Sequence, residues 1–349
     1  MKKLGFGCMR LPLLESGEVD QQQFNAMIDA YMAAGFNYFD TAHVYISGKS
    51  ELAMRQGLVE RYPRESYRFV NKLSPTCYKT EGDIRPFFDL QLEACGVDYF
   101  DWYLMHSVSA KWFAHAQACN AFEIVKQLKA EGKVKHIAMS FHDSPEVLEQ
   151  VLTAWPEVEA VQIQFNYLDY DDPKVQSWGC YQVCRKFNKP VLIMEPVKGG
   201  TLATLPPAAQ KVLSELGGGS PASYAIRYAA SFEGVMMVLS GMSTMEQMED
   251  NLSYMTDFIP LNDREMEALV RVREILRCQE SIPCTGCRYC VEGCPMSIPI
   301  PELFSAYNAA KRGEVVDMDL SPAKTCIACR ACEGACPQHL PIPELLEQI

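Results

Sequence analysis

Eight of the fifteen cysteines fall between Cys284 and Cys336. They form two runs, CTGCRYCVEGCPMSIPIPEL from Cys284 and CIACRACEGACPQHLPIPEL from Cys326. Every cysteine, the proline after the last one and the closing PIPEL recur 42 positions later. Thiolates are soft ligands, so cysteines this dense point to metal or redox chemistry. Zinc usually takes two C-x2–4-C pairs or adds histidines. Two four-cysteine runs, each closing on Cys-Pro, fit it poorly and fit iron–sulfur ligation. A second group of residues suits acid–base work. Asp40 lies in the apolar run NYFDT, with Tyr45 just beyond it, while Lys72 ends YRFVNK and His106 ends DWYLMH. Together they offer a phenol as acid, a cation beside it, a carboxylate to hold that cation and an imidazole to orient a carbonyl.

These residues need elements to bring them together. Asp20, with Gln23 three residues on, is a helix start, and Phe24, Met27, Ile28, Tyr31 and Met32 then share one face up to Gly35. Strand-like runs occur at LGFGC before that helix and at NYFDT, YRFVNK, DWYLMH, HIAMSF, VQIQFN, VLIMEP and VMMVLSG after it. Amphipathic stretches separate them near 50–61, 82–95, 116–131, 145–154, 173–188, 221–231 and 245–254. About eight strands alternating with eight helices in roughly 250 residues predict an α/β fold, a (β/α)8 TIM barrel. A doubly wound sheet is the rival, but no G-x-G-x-x-G opens a helix after the first strand. In such a barrel, chemistry gathers at the C-terminal ends of the strands, where Asp40, Lys72 and His106 fall.

The run DTAHVY with the strand ends at Lys72 and His106 resembles the aldo-keto reductase tetrad, over residues 1–275. The resemblance implies that Tyr45 is the proton donor, that Lys72 and Asp40 tune it, and that His106 orients the substrate carbonyl. It also implies cofactor contacts: Ser140 and Gln162 at the nicotinamide carboxamide, Met194 against its ring, and the loop with Pro196, Gly199, Gly200 and Leu202 at the pyrophosphate. Gly241, Ser243, Gln247 and Asn251 are the counterparts of the adenosine-binding loop and helix. Residues 276–349 resemble a bacterial-type two-cluster ferredoxin domain, a small α+β ferredoxin-like unit. In such domains the fourth cysteine of each run crosses to the other cluster. The resemblance therefore assigns Cys284, Cys287, Cys290 and Cys336 to one 4Fe–4S cluster, and Cys326, Cys329, Cys332 and Cys294 to the other.

The implied activity is reduction of a small-molecule carbonyl substrate, or oxidation of the matching alcohol, with the clusters carrying electrons. NADP(H) or NAD(H) is the implied hydride carrier. Gly241 and Gln247 stand where NADP-specific members commonly place cations, and neither can neutralise a phosphate. Met194 stands where an aromatic ring is common, and Glu195 beside it disfavours added negative charge. Nicotinamides move electrons in pairs and clusters move them singly. FMN can do both, so a flavin-mediated reductase fed by the clusters is one alternative. A redox-sensing or regulatory subunit with little turnover is the other, and a redox partner protein accompanies either.

Composition bounds the setting. Thirty-two cations against 44 carboxylates give a net charge of −12, which argues against a nucleic-acid partner and against a polybasic membrane patch. Apolar stretches fall short of the ~20 residues needed to span a membrane. Arg10 and Glu15 interrupt any signal-peptide core. The cysteine usage then suits the reducing cytoplasm.

Overall fold

The computed structural model describes residues 2–278, 281–311 and 314–349. Eight parallel strands close into a barrel in sequence order: β1 (Leu4–Gly7), β2 (Tyr38–Asp40), β3 (Arg68–Leu73), β4 (Phe100–Val108), β5 (Val134–Phe141), β6 (Ala160–Gln164), β7 (Val191–Met194) and β8 (Val235–Ser240). The last strand returns to the first, with Leu4 opposite Val238. All eight predicted strands are present. Parallel strands are covered on both faces, which is why they read as unbroken apolar runs. The outer core packs strand against helix, with Phe6, Phe24, Ile28, Phe69, Phe88 and Phe100 fully buried. The helix predicted after Asp20 runs Gln21–Ala33, and the Asp20 carboxylate accepts the Gln23 amide at 3.0 Å.

Inside the barrel a separate apolar layer takes one residue from each of seven strands: Tyr38, Val70, Leu104, Ala138, Ala160, Leu192 and Met237. Side chains two positions apart along a strand face the same way. The layer above therefore consists of Asp40, Lys72, His106, Ser140, Gln162, Met194 and Leu239. The predicted site residues on the strands sit one step up from an apolar floor.

Two helices beyond the predicted set complete the barrel, Pro207–Ser214 and Asp263–Arg277. The second is announced by a capping box, in which Asn262 accepts the Glu265 amide and Glu265 accepts the Asn262 amide. No described helix is long and apolar enough to cross a membrane.

From Ile282 onward a second, smaller core forms around Ile298, Ile300, Leu303, Phe304, Leu340, Ile342 and Leu346. Its elements are short helices and turns, chiefly Ile300–Lys311 and Ile342–Leu346. The strands expected of an α+β unit have no counterpart among the described residues there, because loops wound around closely spaced cysteines leave no run long enough to pair. The repeat is visible in space: Arg288 pairs with Glu302 in the first copy, as Arg330 pairs with Glu344 in the second.

Candidate active site

The four acid–base residues meet at the C-terminal mouth of the barrel, all buried. The Lys72 ammonium donates to Asp40 Oδ1 at 2.5 Å and to the Thr41 carbonyl at 2.8 Å. It lies 4.7 Å from the centre of the Tyr45 ring. The Tyr45 and His106 rings meet edge to face with centroids 6.1 Å apart. The loop after β2 delivers Tyr45 through a short helical turn, Tyr45–Gly48. His106 Nδ1 shares a hydrogen bond with the Ser74 hydroxyl at 2.7 Å, which fixes the ring from behind.

The electrostatics follow from burial. Desolvation pushes the Asp40 carboxyl up and the Lys72 ammonium down, and their contact opposes both shifts. The Tyr45 phenol is raised well above its ordinary value by burial and then by the Asp40 charge, with Arg10 pulling the other way. Burial is the larger of these influences, and the phenol keeps its proton. His106 falls well below the ordinary histidine value through burial and the Lys72 charge, so it is neutral and has one ring N–H to donate.

A pocket of about 80 Å³ opens above these groups, lined by Asp40, Tyr45, His106, Ser140, Gln162, Met194, Glu195 and Gly241. Its roof comes from the C-terminal unit: Cys287, Tyr289, Pro337 and Gln338. A wider cleft of about 540 Å³ leads outward between the two units. It is bounded by His106, Trp112 and His142 on the barrel side and by Tyr289, Cys336 and His339 opposite.

The other predicted cofactor residues are placed less uniformly. Ser140 Oγ accepts the Ser107 amide at 2.8 Å. Pro196 and Leu202 are buried, Leu202 within the barrel core. Gly199 is exposed, with the Thr285 backbone standing where its Cβ would be, and Gly200 faces open space. The Ser243 amide donates to Gln247 Oε1 at 2.7 Å, and Asn251 donates to the Gln247 carbonyl at 2.8 Å, so these three hold the start of the helix Met245–Met255.

The eight cysteines separate into two cavities. One is lined by Cys284, Cys287, Cys290 and Cys336, the other by Cys294, Cys326, Cys329 and Cys332. The fourth cysteine of each run thus lies beside the first three of the other run. Ile300 contributes to both walls. Burial pushes Cys287 and Cys290 up to about 12 and Cys332 up to about 11, so any metal bound there must displace their protons.

Several contributors escape the sequence reading. Ser74 carries no motif. Tyr289 and Gln338 sit inside cysteine runs whose spacing draws attention away from them. Gln338 exchanges hydrogen bonds with Gln164 and accepts one from Lys198 at 3.3 Å. Lys198 is itself buried against Asp169. This polar network locks the C-terminal unit onto the barrel.

Residues 3–274 match the aldo/keto reductase family, and residues 283–340 match a 4Fe-4S dicluster domain. Among its relatives, a "Probable aldo-keto reductase 1" of Glycine max is 29% identical over 174 residues, 48% of this chain and 48% of that protein. An "NADH-specific methylglyoxal reductase" of Escherichia coli (strain K12) is 24% identical over 205 residues, 54% of this chain and 60% of that protein. The chain thus spans about half to three-fifths of the length of these relatives. An aldo-keto reductase from Klebsiella pneumoniae, solved in complex with NADPH, superposes with a TM-score of 0.63 at 20% identity, covering 78% of this chain and 90% of that one. A Bacillus halodurans aldo-keto reductase in its holo form gives 0.63 at 21%, covering 77% and 91%. With the closed barrel and a family match running from its first strand to its last helix, the chain belongs to the aldo/keto reductase family.

Proposed function

We propose that this protein reduces a small carbonyl compound at Tyr45, with electrons reaching the barrel mouth through the C-terminal unit. The observation that carries the proposal is the shared pocket, which has Tyr45, His106 and Asp40 on its floor and Cys287 in its roof. Neutral His106 donates a hydrogen bond to the carbonyl oxygen and polarises it. Tyr45, held protonated, gives its proton as negative charge develops on that oxygen. Asp40 and Lys72 fix the ring that carries the proton. Reduction of C=O to CH–OH takes two electrons and two protons, and the cleft gives solvent a route for the second proton.

We propose a two-unit chain, residues 1–275 and 276–349. The two cysteine cavities would hold two 4Fe–4S clusters in the crossed arrangement, each with four thiols around an apolar-walled space. When bound, the clusters supply electrons one at a time. A one-electron carrier protein is the partner class this implies, and the reducing cytoplasm is the compartment that suits the thiolates.

NADPH, which the Klebsiella relative holds, and NADH are the other sources of reducing equivalents. The loops that would cradle their pyrophosphate are engaged with this chain's own groups. A second reading places FMN in the outer cleft. Its volume of about 540 Å³ suits an organic cofactor, and Lys111 and Trp112 offer a cation and a stacking ring.

The test is turnover of a carbonyl panel by anaerobically prepared protein, with reduced methyl viologen as electron donor, comparing the native chain with Tyr45→Phe. Turnover that survives the substitution unchanged puts the chemistry elsewhere.

A further inference from the structure

In TIM barrels, phosphate groups are commonly held by the loops after the seventh and eighth strands. Here those loops are Glu195–Leu202 and Gly241–Thr244. The first has the features of an anion cradle. Gly199 takes φ +62° and Gly200 φ +101°; the Gly200 amide donates to the Val197 carbonyl at 3.0 Å within the turn, which leaves the Gly199 amide to serve an acceptor outside the loop backbone.

That cradle is filled by the protein itself. Glu195, with its backbone at φ +55°, turns its carboxylate back over the loop. Its Oε2 accepts the Gly199 amide at 2.6 Å, and its Oε1 accepts Arg10 at 3.1 Å. Arg10 also donates to the Thr285 carbonyl at 2.8 Å. A Cβ on Gly199 would fall 2.3 Å from that same carbonyl, so the backbone of the C-terminal unit rests directly on the glycine. At the other end Arg10 lies 3.6 Å from where a Cβ on Gly241 would stand. Its side chain therefore crosses from the loop after β8 to the loop after β7. A carboxylate takes the amide a phosphate would use, the nearby cation is already paired, and Thr285 covers the path between the loops.

We infer that the docked C-terminal unit and an extended nicotinamide dinucleotide compete for one groove, so that either displaces the other. Competition is reciprocal: bound nucleotide weakens docking of the unit by the same factor by which docking weakens nucleotide binding. Small carbonyl substrates are not affected, because they enter through the outer cleft. The inference does not depend on Tyr45 being the proton donor, and its test reads binding alone.

The experiment uses full-length protein carrying its iron and sulfide, titrated with NADPH and separately with NADH. Nicotinamide fluorescence reports binding, and hydrogen exchange is followed at 197–201 and 284–288. Two outcomes support competition. In the first, the native protein fails to bind and the double variant Arg10→Ala/Gln338→Ala binds about tenfold or more tightly than it. In the second, the native protein binds and exchange at 284–288 rises. Tight binding to the native protein with protection at 197–201 and unchanged exchange at 284–288 overturns the inference, because both would then occupy the mouth together. Equal failure of the native and loosened proteins also overturns it, because the groove is then no nucleotide site. The native-protein measurement stands if the double variant does not fold.

Discussion

The side-chain amides of Gln164 and Gln338 face each other and exchange two hydrogen bonds, at 2.8 and 3.1 Å. One belongs to β6 of the barrel, the other follows the last cysteine of the second run. Both are buried, and Lys198 and Asp169 extend the network on the barrel side. Gln338→Ala leaves the Gln164 amide with an unmet oxygen and removes a partner of Lys198. A buried polar group left unpaired costs about 1–3 kcal/mol. The expected result is a lower thermal midpoint and faster proteolysis near residues 276–284, with the cysteine-bound iron retained at first.

Tyr45→Phe removes only a hydroxyl. Its role begins when negative charge develops on the substrate oxygen, so the loss falls on kcat and leaves KM nearly unchanged. A reduction of about 10²–10⁴-fold is expected from loss of a general acid. A parallel loss of substrate affinity would identify Tyr45 as structural instead.

Cys294→Ala tests the crossed cavities. Cys294 belongs to the first run in sequence, yet lines the cavity of Cys326, Cys329 and Cys332. Iron analysis is expected to fall from about eight atoms toward about four. The remaining cluster should be the one beside the barrel, so the spectrum of a substrate analogue bound in the cleft should be unaltered. Loss of the barrel-side cluster alone would reverse the assignment.

Acid should loosen the contact between the two units. His142 lines the outer cleft, and burial, followed by the charge of His339 opposite, holds it down to about 4 from an ordinary 6.5. Between those values the unfolded chain takes a proton that the folded chain refuses. Stability therefore falls as pH drops from about 6.5 toward 4, and the loss is complete once both states are protonated. His106 is depressed for the same reason and adds to the trend. Thermal midpoints measured without oxygen across this window should slope less steeply for His142→Gln than for the native chain. Identical slopes would mean that His142 titrates normally.

The barrel was legible because each of its strands is an apolar run, and because period-two alternation carries a polar residue to the mouth two positions above an apolar one. Asp40 above Tyr38, Lys72 above Val70 and His106 above Leu104 can be read without coordinates. The helix Asp263–Arg277 was equally available, through Asn262 and Glu265, but lies past the last strand, where the alternation stops calling for it. What sequence could not supply is which face of the cysteine-rich unit meets the barrel. In retrospect the two repeats differ where contact is made: Thr285, Tyr289 and Gln338 touch the mouth, while their counterparts Ile327, Ala331 and Met296 do not line it. Ile327 and Met296 are exposed instead. Within one chain such differences have no visible direction until a neighbour gives them one. The Arg10–Glu195 pair spans 185 positions and depends on a left-handed turn at Glu195 that no local pattern announces.

Gln338 lies 174 positions after Gln164. Ribosomes deliver chains from the N-terminus, and domains tend to fold as they emerge. All eight strands are therefore out before the residues that roof the mouth exist. Until the second cysteine run arrives, Gln164 and Lys198 lack their partner Gln338, and the pocket above Tyr45 lacks Pro337 and Gln338 from its roof. The pocket's roof is thus the last part of the molecule to be made, and the barrel beneath it is complete before it can be closed.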